Sequence, residues 1–324
     1  MNGNDILLSI LCLCYNHEPY LRQALDSIII QEMSFPFEIV IGDDCSTDGS
    51  RNILVEYETR YPSYFTVIYR PENIGATKNS YDLLTRAQGK YISIFETDDY
   101  LIDPKAFQKQ VYFLESNPEY EGVTHNFVIV DESGNETRDY TRKNHARSNI
   151  FTLQDFLRHG FITRLSTGVI KNFMLDNGDY SVIKEAHSII GDLIVLSILL
   201  KRNDMYILPD CMSAYRHVVK QGGSSAASIH ASNLGKSLYE HTRMFDIAEA
   251  YFNGTVCYNY MRAKDICKYI SSLVRRRDGF TLSCLRYMFK RANNTTRWII
   301  LKLIIRYPMR RVFRVFGIQK DQVP

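Results

Sequence analysis

The chain opens on a continuous apolar run, Ile6 to Leu13, of strand length. Polar residues follow, Cys14-Tyr15-Asn16-His17-Glu18, and Pro19 stands where a helix can begin. Leu21, Leu25, Ile28 and Ile29 then recur at helical spacing. Phe37 to Ile41 reads as a second buried strand, and it stops at the polar loop Gly42 to Ser50, which can cap a helix over 51–60. Tyr64 to Tyr69 is a third strand. A turn at Pro71 to Gly75 leads to a helix over 77–87, closed by Gly89. Tyr91 to Phe95 is a fourth strand, ending in Glu96-Thr97-Asp98-Asp99, and Pro104 opens a helix reaching Ser116. Strand and helix alternate four times over roughly 115 residues, which predicts an α/β fold with a mostly parallel central sheet and helices on both faces. Ligands bind such sheets beyond the carboxyl ends of the strands. The polar clusters 14–18, 42–50 and 96–99 close three of these strands and are expected to converge on one rim.

Beyond residue 120 the pattern is less regular. Gly122 to Val130 reads as a strand followed by a turn at 131–135, 152–158 as a helix, and Ser166 to Ile170 as a short strand. Ser188 to Leu200 is strongly apolar and reads as a buried helix with Asp192 in its first turn. Met205 to Leu208 and Met212 to His217 read as two short strands. Gln221 to Ser228 is a loop of small residues that can fold over a bound substrate. From there on the pattern is helical. The expected division is an α/β domain over 1–228 and a C-terminal helical extension over 229–324.

Composition and charge add to this picture. Hydrophobic residues make up 45% and charged residues 23%, which excludes disorder. The seven cysteines are scattered, with no C-x-x-C pair, so neither a zinc site nor a disulfide framework is expected and a reducing, cytoplasmic setting is favoured. No basic residue precedes the first apolar run, which therefore reads as a strand and not as a secretion signal. The net charge of +3 is unevenly placed: 275–324 holds 13 Lys and Arg against 2 Asp, a local +11 that leaves −8 for the remainder. No apolar run reaches the roughly 18 residues of a membrane span.

The candidate chemistry lies at the strand ends. Glu96, Asp98 and Asp99 crowd three carboxylates together, and a hard divalent cation with oxygen ligands would offset their repulsion. A solvated acidic turn is the plainer alternative. An Asp at the end of the second strand, Asp43 or Asp44, can accept from a base or a ribose hydroxyl. Ser46, Thr47, Asp48 and Ser50 read as helix-capping residues.

Together, CYNHEPYL, IGDDCSTDGS and RPENIGATKNSYDLLTRAQGKYISIFETDDYL resemble the inverting family 2 glycosyltransferases of the GT-A (nucleotide-diphospho-sugar transferase) fold, as found in bacterial surface-polysaccharide synthesis. The family pattern runs from a strand and YN through VDDGSTDGT and N-x-G-x-x-x-x-RN to A-x-GKYI-x-x-L-D-x-DD. Order and spacing match over residues 6–104. The resemblance implies that Tyr15, Asn16, Asp43, Asp44, Lys78 and Asp98 bind the nucleotide, and that Asp98 is the metal-binding Asp of the D-x-D motif. Glu96 stands where the first Asp of that motif is usual; it and Asp99 point toward the donor or acceptor sugar, and Glu96 toward the metal. Gly191-Asp192 stands for the family's E-D pair, with Asp192 as catalytic base and Gly191 departing from the Glu. Tyr215-Arg216-His217 resembles a late Y-R-x-H region, which makes His217 a metal candidate and Arg216 a phosphate candidate.

The implied reaction is displacement at the anomeric carbon, with inversion. Asp192 takes the acceptor's proton, and Mg²⁺ or Mn²⁺ on Asp98 neutralises the leaving diphosphate. The donor is a nucleotide sugar, UDP-linked by preference of the family, and the acceptor a glycan or lipid-linked glycan. A nucleotidyltransferase and a non-catalytic membrane-associated scaffold of the same fold are the alternatives. The first lacks its glycine-rich basic loop here. The second is kept open by Glu96 and Gly191. The tail from Trp298 to Phe316 interleaves apolar and basic residues and suits a helix lying on the inner face of the plasma membrane, or else one packed with a solvated basic face. No nucleic-acid-binding module is visible, so nucleic acid is not expected as a partner.

Overall fold

A computed structural model describes residues 6–137, 149–188, 191–217, 234–274 and 281–315. The small-residue loop expected at 221–228 lies outside the described residues. The chain divides into two compact units, one of Met1–Phe156 with Phe161–Ala231, the other of Leu157–Gly160 with Ser232–Pro324.

The first unit is built on a nine-stranded sheet. Its strands are β1 (Leu8–Cys14), β2 (Phe37–Asp43), β3 (Phe65–Tyr69), β4 (Tyr91–Glu96), β5 (Tyr100–Leu101), β6 (Gly122–Val130), β7 (Ile150–Phe151), β8 (Val169–Lys171) and β9 (Met205–Arg216). Its helices are α1 (Glu18–Ile29), α2 (Ser50–Arg60), α3 (Ala76–Arg86), α4 (Ala106–Ser116), α5 (Leu153–His159), α6 (Val182–Glu185) and α7 (Asp192–Arg202), with α5 running across the division between units. The order is β3-β2-β1-β4-β8-β6-β9-β5, with β7 paired to β9. The first four strands are mutually parallel, whereas β8 runs antiparallel to both β4 and β6. Central parallel strands are covered on both faces, which is why β1 and β4 read as mainly apolar runs, interrupted only by the buried Ser9 and Ser93, and not as alternating ones. Leu8, Ile10 and Cys12 of β1 pack with Leu21, Leu25 and Ile28 of α1 and with Phe107 and Val111 of α4 in one core.

Chain order turns back at β1. The strands β1, β2 and β3 step one way, and β4 then pairs on the free side of β1. The register sets Cys14 opposite Asp43 and Leu13 opposite Glu96, so the three polar strand ends do share one rim.

Three sequence expectations change in detail. The two strands foreseen at 205–208 and 212–217 are one strand, β9, whose exposed Pro209–Cys211 stretch passes a register irregularity opposite His125–Phe127. The strand foreseen at 166–170 splits into a 3₁₀ turn, Leu165–Thr167, and β8. The helix foreseen from Ser188 begins at Asp192; Leu193 to Leu200 are buried on every side, which hides any helical period.

The second unit is helical in its described residues: α8 (Leu234–Tyr251), α9 (Asn259–Val274), α10 (Leu282–Lys290) and α11 (Asn294–Val315). Leu238, Ala263, Ile266, Tyr269, Met288, Ala292 and Ile300 form its core. Arg262 is buried there, 2.9 Å from Asp246 and 3.0 Å from Glu249. Such a charge is tolerated in an interior only when paired.

Candidate active site

The rim begins with the two loops that follow β1 and β2. Asn16 and Cys45 both adopt left-handed backbone, at φ 57° and 63°. Asn takes that region readily, whereas a Cys there carries strain, the kind that gathers at functional sites. The loops are tied to each other. Ser46 Oγ accepts from the Asn16 amide at 3.0 Å, Ser50 Oγ accepts from the His17 amide at 3.0 Å, and Asn16 Oδ1 accepts from the Thr47 amide at 2.8 Å. Asp48 accepts from the amides of Ser50 and Glu18, both at 3.0 Å. The hydroxyls read as caps for α2 thus serve the approach to α1 instead, while Asp48 serves both helices.

Two nucleotide candidates prove to be loop-forming. Asp43 is fully buried, accepts from Arg51 Nε at 2.6 Å and from the Ser46 amide at 3.2 Å, and so faces inward. Asp44 is nearly as buried, and its two oxygens accept from the amides of Ile74 and Gly75 at 2.8 and 3.0 Å. Gly75 sits at φ 89°, which a side chain would resist, and this turns both amides onto Asp44. Tyr15 and Asn16 remain half-buried at the rim, and Lys78, in the first turn of α3, is exposed.

On the other side of the β1/β4 switch, Glu96, Asp98 and Asp99 place ligand oxygens all within 4.8 Å of one another. The Thr97 hydroxyl between them turns back to the Leu13 carbonyl at 2.8 Å, which fixes the loop to β1. Glu96 is open to solvent yet surrounded by protein on most sides. Burial, then Asp98 and Asp192, push its carboxyl up to about 8. Asp99 is pushed well above the usual carboxylate range, by burial first and then by Asp98 and Glu96. Asp98 Oδ1 is buried with no hydrogen-bond partner. An orphaned carboxylate oxygen facing two other carboxylates is a donor set for a hard cation. His217, one residue past β9, is not among the residues whose ligand atoms share that 4.8 Å spacing.

Asp192 is the first residue of α7, and its charge acts on Glu96. Burial raises its pKa, opposed by its own backbone amide and by Arg164. A helix N-terminus favours an ionised carboxylate, but burial outweighs it here, which makes Asp192 the stronger base. Space at Gly191 is tight. A Cβ there would lie 3.2 Å from Thr77 Cγ2. Thr77 in turn donates its hydroxyl to the His187 carbonyl at 2.7 Å, binding the start of α3 to the segment before α7.

Arg216 is not a free phosphate ligand. It is buried, its Nε donates to the Asp98 carbonyl at 2.9 Å, Nη1 to the carbonyls of Asp131 and Glu132 at 3.0 and 2.8 Å, and Nη2 to Gln23 Oε1 at 2.9 Å. Its amide donates to Asp99 Oδ1 at 2.7 Å. It braces the acidic loop from behind. A cation whose charge does reach the acids is Arg164, which sequence reading passes over because no motif surrounds it. Its charge acts on Glu96, Asp99 and Asp192 together.

Residues 9–174, half of the chain, match the family described as glycosyl transferase family 2. The chain belongs to glycosyl transferase family 2. An uncharacterised protein of Mycobacterium tuberculosis is 40% identical over 133 residues, which is 41% of this chain and 38% of that protein. TuaG of Bacillus subtilis, named as a glycosyltransferase of teichuronic acid biosynthesis, is 38% identical over 109 residues, 33% of this chain and 42% of TuaG. The matched region is thus well under half the length of these relatives. Among solved structures, TarS of S. aureus in complex with UDP superposes with a TM-score of 0.53 at 16% identity, covering 92% of this chain and 91% of that one. The fold is accordingly the GT-A one.

Proposed function

We propose that the chain transfers a sugar from a nucleoside-diphosphate sugar, UDP-linked by preference, to an acceptor hydroxyl with inversion, as a hexosyl or hexosaminyl transferase of surface-glycan synthesis. The observation that carries this reading is the convergence, at the β1/β4 switch, of three mutually close carboxylates, one with a buried unpartnered oxygen, next to a raised-pKa Asp192 at a helix start. TarS, of the same fold, has also been solved with UDP-GlcNAc, which supports a UDP-sugar donor.

In this reading Tyr15, Asn16 and Lys78 line the nucleoside side, and Asp43 and Asp44 hold the loops that present them. Glu96, Asp98 and Asp99 would hold a divalent cation, Mg²⁺ or Mn²⁺, which supplies charge neutralisation for the departing diphosphate. Glu96 and Asp99 also face the sugar. Asp192 accepts the proton of the acceptor hydroxyl, and its raised pKa brings it closer to that task at neutral pH. Arg216 keeps the acidic loop in register by holding the Asp98 carbonyl. Residues 1–228 would carry the chemistry and 229–324 would serve placement.

The placement part rests on α11. No described helix is long and apolar enough to cross a membrane. Trp298, Leu301 and Ile304 are nevertheless exposed at 56%, 56% and 44%, beside the exposed Arg297 and Lys302. We infer a peripheral contact with anionic lipid, which suits a lipid-linked acceptor on the inner face of the plasma membrane.

The test is a panel of UDP-, GDP- and dTDP-sugars with Mn²⁺, read by release of the nucleoside diphosphate. Release from one donor, abolished in Asp192→Asn with donor binding kept, is the expected result. Release of pyrophosphate from a sugar phosphate and a nucleoside triphosphate would make the chain a nucleotidyltransferase, and no turnover of either kind a scaffold.

A further inference from the structure

Arg164 is held unusually firmly for a residue outside regular structure. On one side the Thr163 hydroxyl donates to Thr124 Oγ1 at 2.8 Å. On the other, the Arg164 carbonyl accepts from the Thr167 amide and hydroxyl at 3.2 and 2.8 Å, and the Thr167 carbonyl accepts from Gln110 Nε2 at 2.9 Å. The guanidinium carbon lies over the Tyr215 ring, 3.7 Å from its centre, a close cation–π contact that restrains the guanidinium. Tyr215 is itself set edge-on against Phe127, with ring centres 5.8 Å apart.

With its face satisfied, its edge is not. No hydrogen bond or ion pair joins the guanidinium to a described residue, and Nε is buried without a partner. This contrasts with Arg216, whose donors are spent on four protein acceptors. Arg164 is near enough for its charge to act on Glu96, Asp99 and Asp192, yet it pairs with none of them. A restrained, half-buried arginine with an unused fork is preorganised for an oxyanion brought in by a ligand. The rim is already rich in carboxylates, so an incoming diphosphate requires a fixed positive charge there.

We propose that Arg164 is a donor-binding residue whose guanidinium edge hydrogen-bonds a phosphate oxygen of the nucleoside diphosphate at the rim formed by Glu96, Asp98 and Asp99. This rests on the nucleotide-sugar reading above. Tyr215 then acts through Arg164, restraining the guanidinium that the phosphate meets.

The experiment is calorimetric titration of the full chain with UDP, GDP and dTDP at fixed Mn²⁺, continued with whichever binds. Arg164→Gln is expected to weaken the nucleoside diphosphate at least about tenfold. Binding of the matching free nucleoside, read by saturation-transfer NMR, should stay within about twofold, because only the phosphate contact is lost. Arg164→Lys keeps the charge without the fork and should recover part of the affinity. An unchanged diphosphate affinity in Arg164→Gln overturns the proposal, and so does equal loss of the nucleoside, which would mark a structural role. If the parent chain binds none of the three diphosphates, the nucleotide-sugar reading itself fails.

Discussion

Replacing Arg216 by Met removes the guanidinium, keeps a side chain of similar reach, and leaves the backbone hydrogen bond to Asp99 in place. Four side-chain hydrogen bonds go with it. Those to Asp131, Glu132 and Gln23 end at residues with open surface, where water can replace the lost donor. The Asp98 carbonyl lies under the acidic loop and loses its donor outright. A hydrogen bond from a charged donor contributes about 1.5–3 kcal/mol. Adding the lost contact with the Tyr20 ring, 4.5 Å away, and subtracting the relief from burying one charge fewer, the net cost is about 3 kcal/mol. For a domain of this size that corresponds to a fall in Tm of roughly 6–12 °C. Urea unfolding gives the free energy directly, with the slope as a check that the denatured state is unchanged. The loosened loop should also bind Mn²⁺ more weakly, and Arg216→Lys should fall between parent and Met. A Met variant within about 0.5 kcal/mol of the parent would show that the four bonds brace nothing, and the positioning role of Arg216 would be withdrawn.

Further outcomes follow from the same geometry. Because the Glu96, Asp99 and Asp192 carboxyls titrate higher folded than unfolded, the protonated forms favour the fold: stability is full below about pH 4 and is lost as pH rises toward about 8. The melting temperature without divalent ions should therefore drop between pH 5 and 8, and Mn²⁺ should restore it at pH 8 but hardly at pH 5; a flat profile refutes the crowding. Asp98→Ala should abolish that Mn²⁺ response in a thermal scan, while Asp98→Glu retains some of it. Gly42→Ala would put a methyl 2.3 Å from Asn79 Oδ1, whose amide also holds the Gly42 carbonyl at 2.8 Å, and should cost about 1–3 kcal/mol by chemical unfolding. Trp298→Ser should reduce co-flotation with vesicles containing anionic phosphatidylglycerol and leave phosphatidylcholine vesicles unaffected; equal flotation of parent and variant counts against the lipid contact.

Much of the first unit was legible because its signals are local. Mainly apolar runs at Leu8–Cys14 and Tyr91–Phe95 mark strands covered on both faces, and the polar residues that end them mark the rim. Family resemblance then attached roles to Asp98 and Asp192 that no spacing alone supplies. What stayed hidden depends on contacts distant in sequence. A two-residue strand such as Tyr100–Leu101 exists only because Ser213 and Ala214 pair with it. Asp43 looks like a ligand in a polar loop until Arg51 turns it inward. Arg216 reads as a phosphate candidate from its motif, whereas Arg164 carries no motif at all. Which arginine keeps a free fork is decided by backbone carbonyls at Asp98, Asp131 and Glu132, and carbonyls carry no sequence signature.

The brace on the acidic loop spans 117 residues of chain, from Asp99 to Arg216. During synthesis the three acids therefore leave the ribosome on the order of ten seconds before the strand that clamps them. The parallel half from β1 to β4 can assemble in that interval, since all four of its strands precede the acids or end in them. Its rim is then an unclamped ring of negative charge. The nascent chain consequently acquires its parallel rim early and the clamp on the acidic loop late, and any stall in translation before β9 strands an intermediate whose carboxylates repel each other without the Arg216 brace.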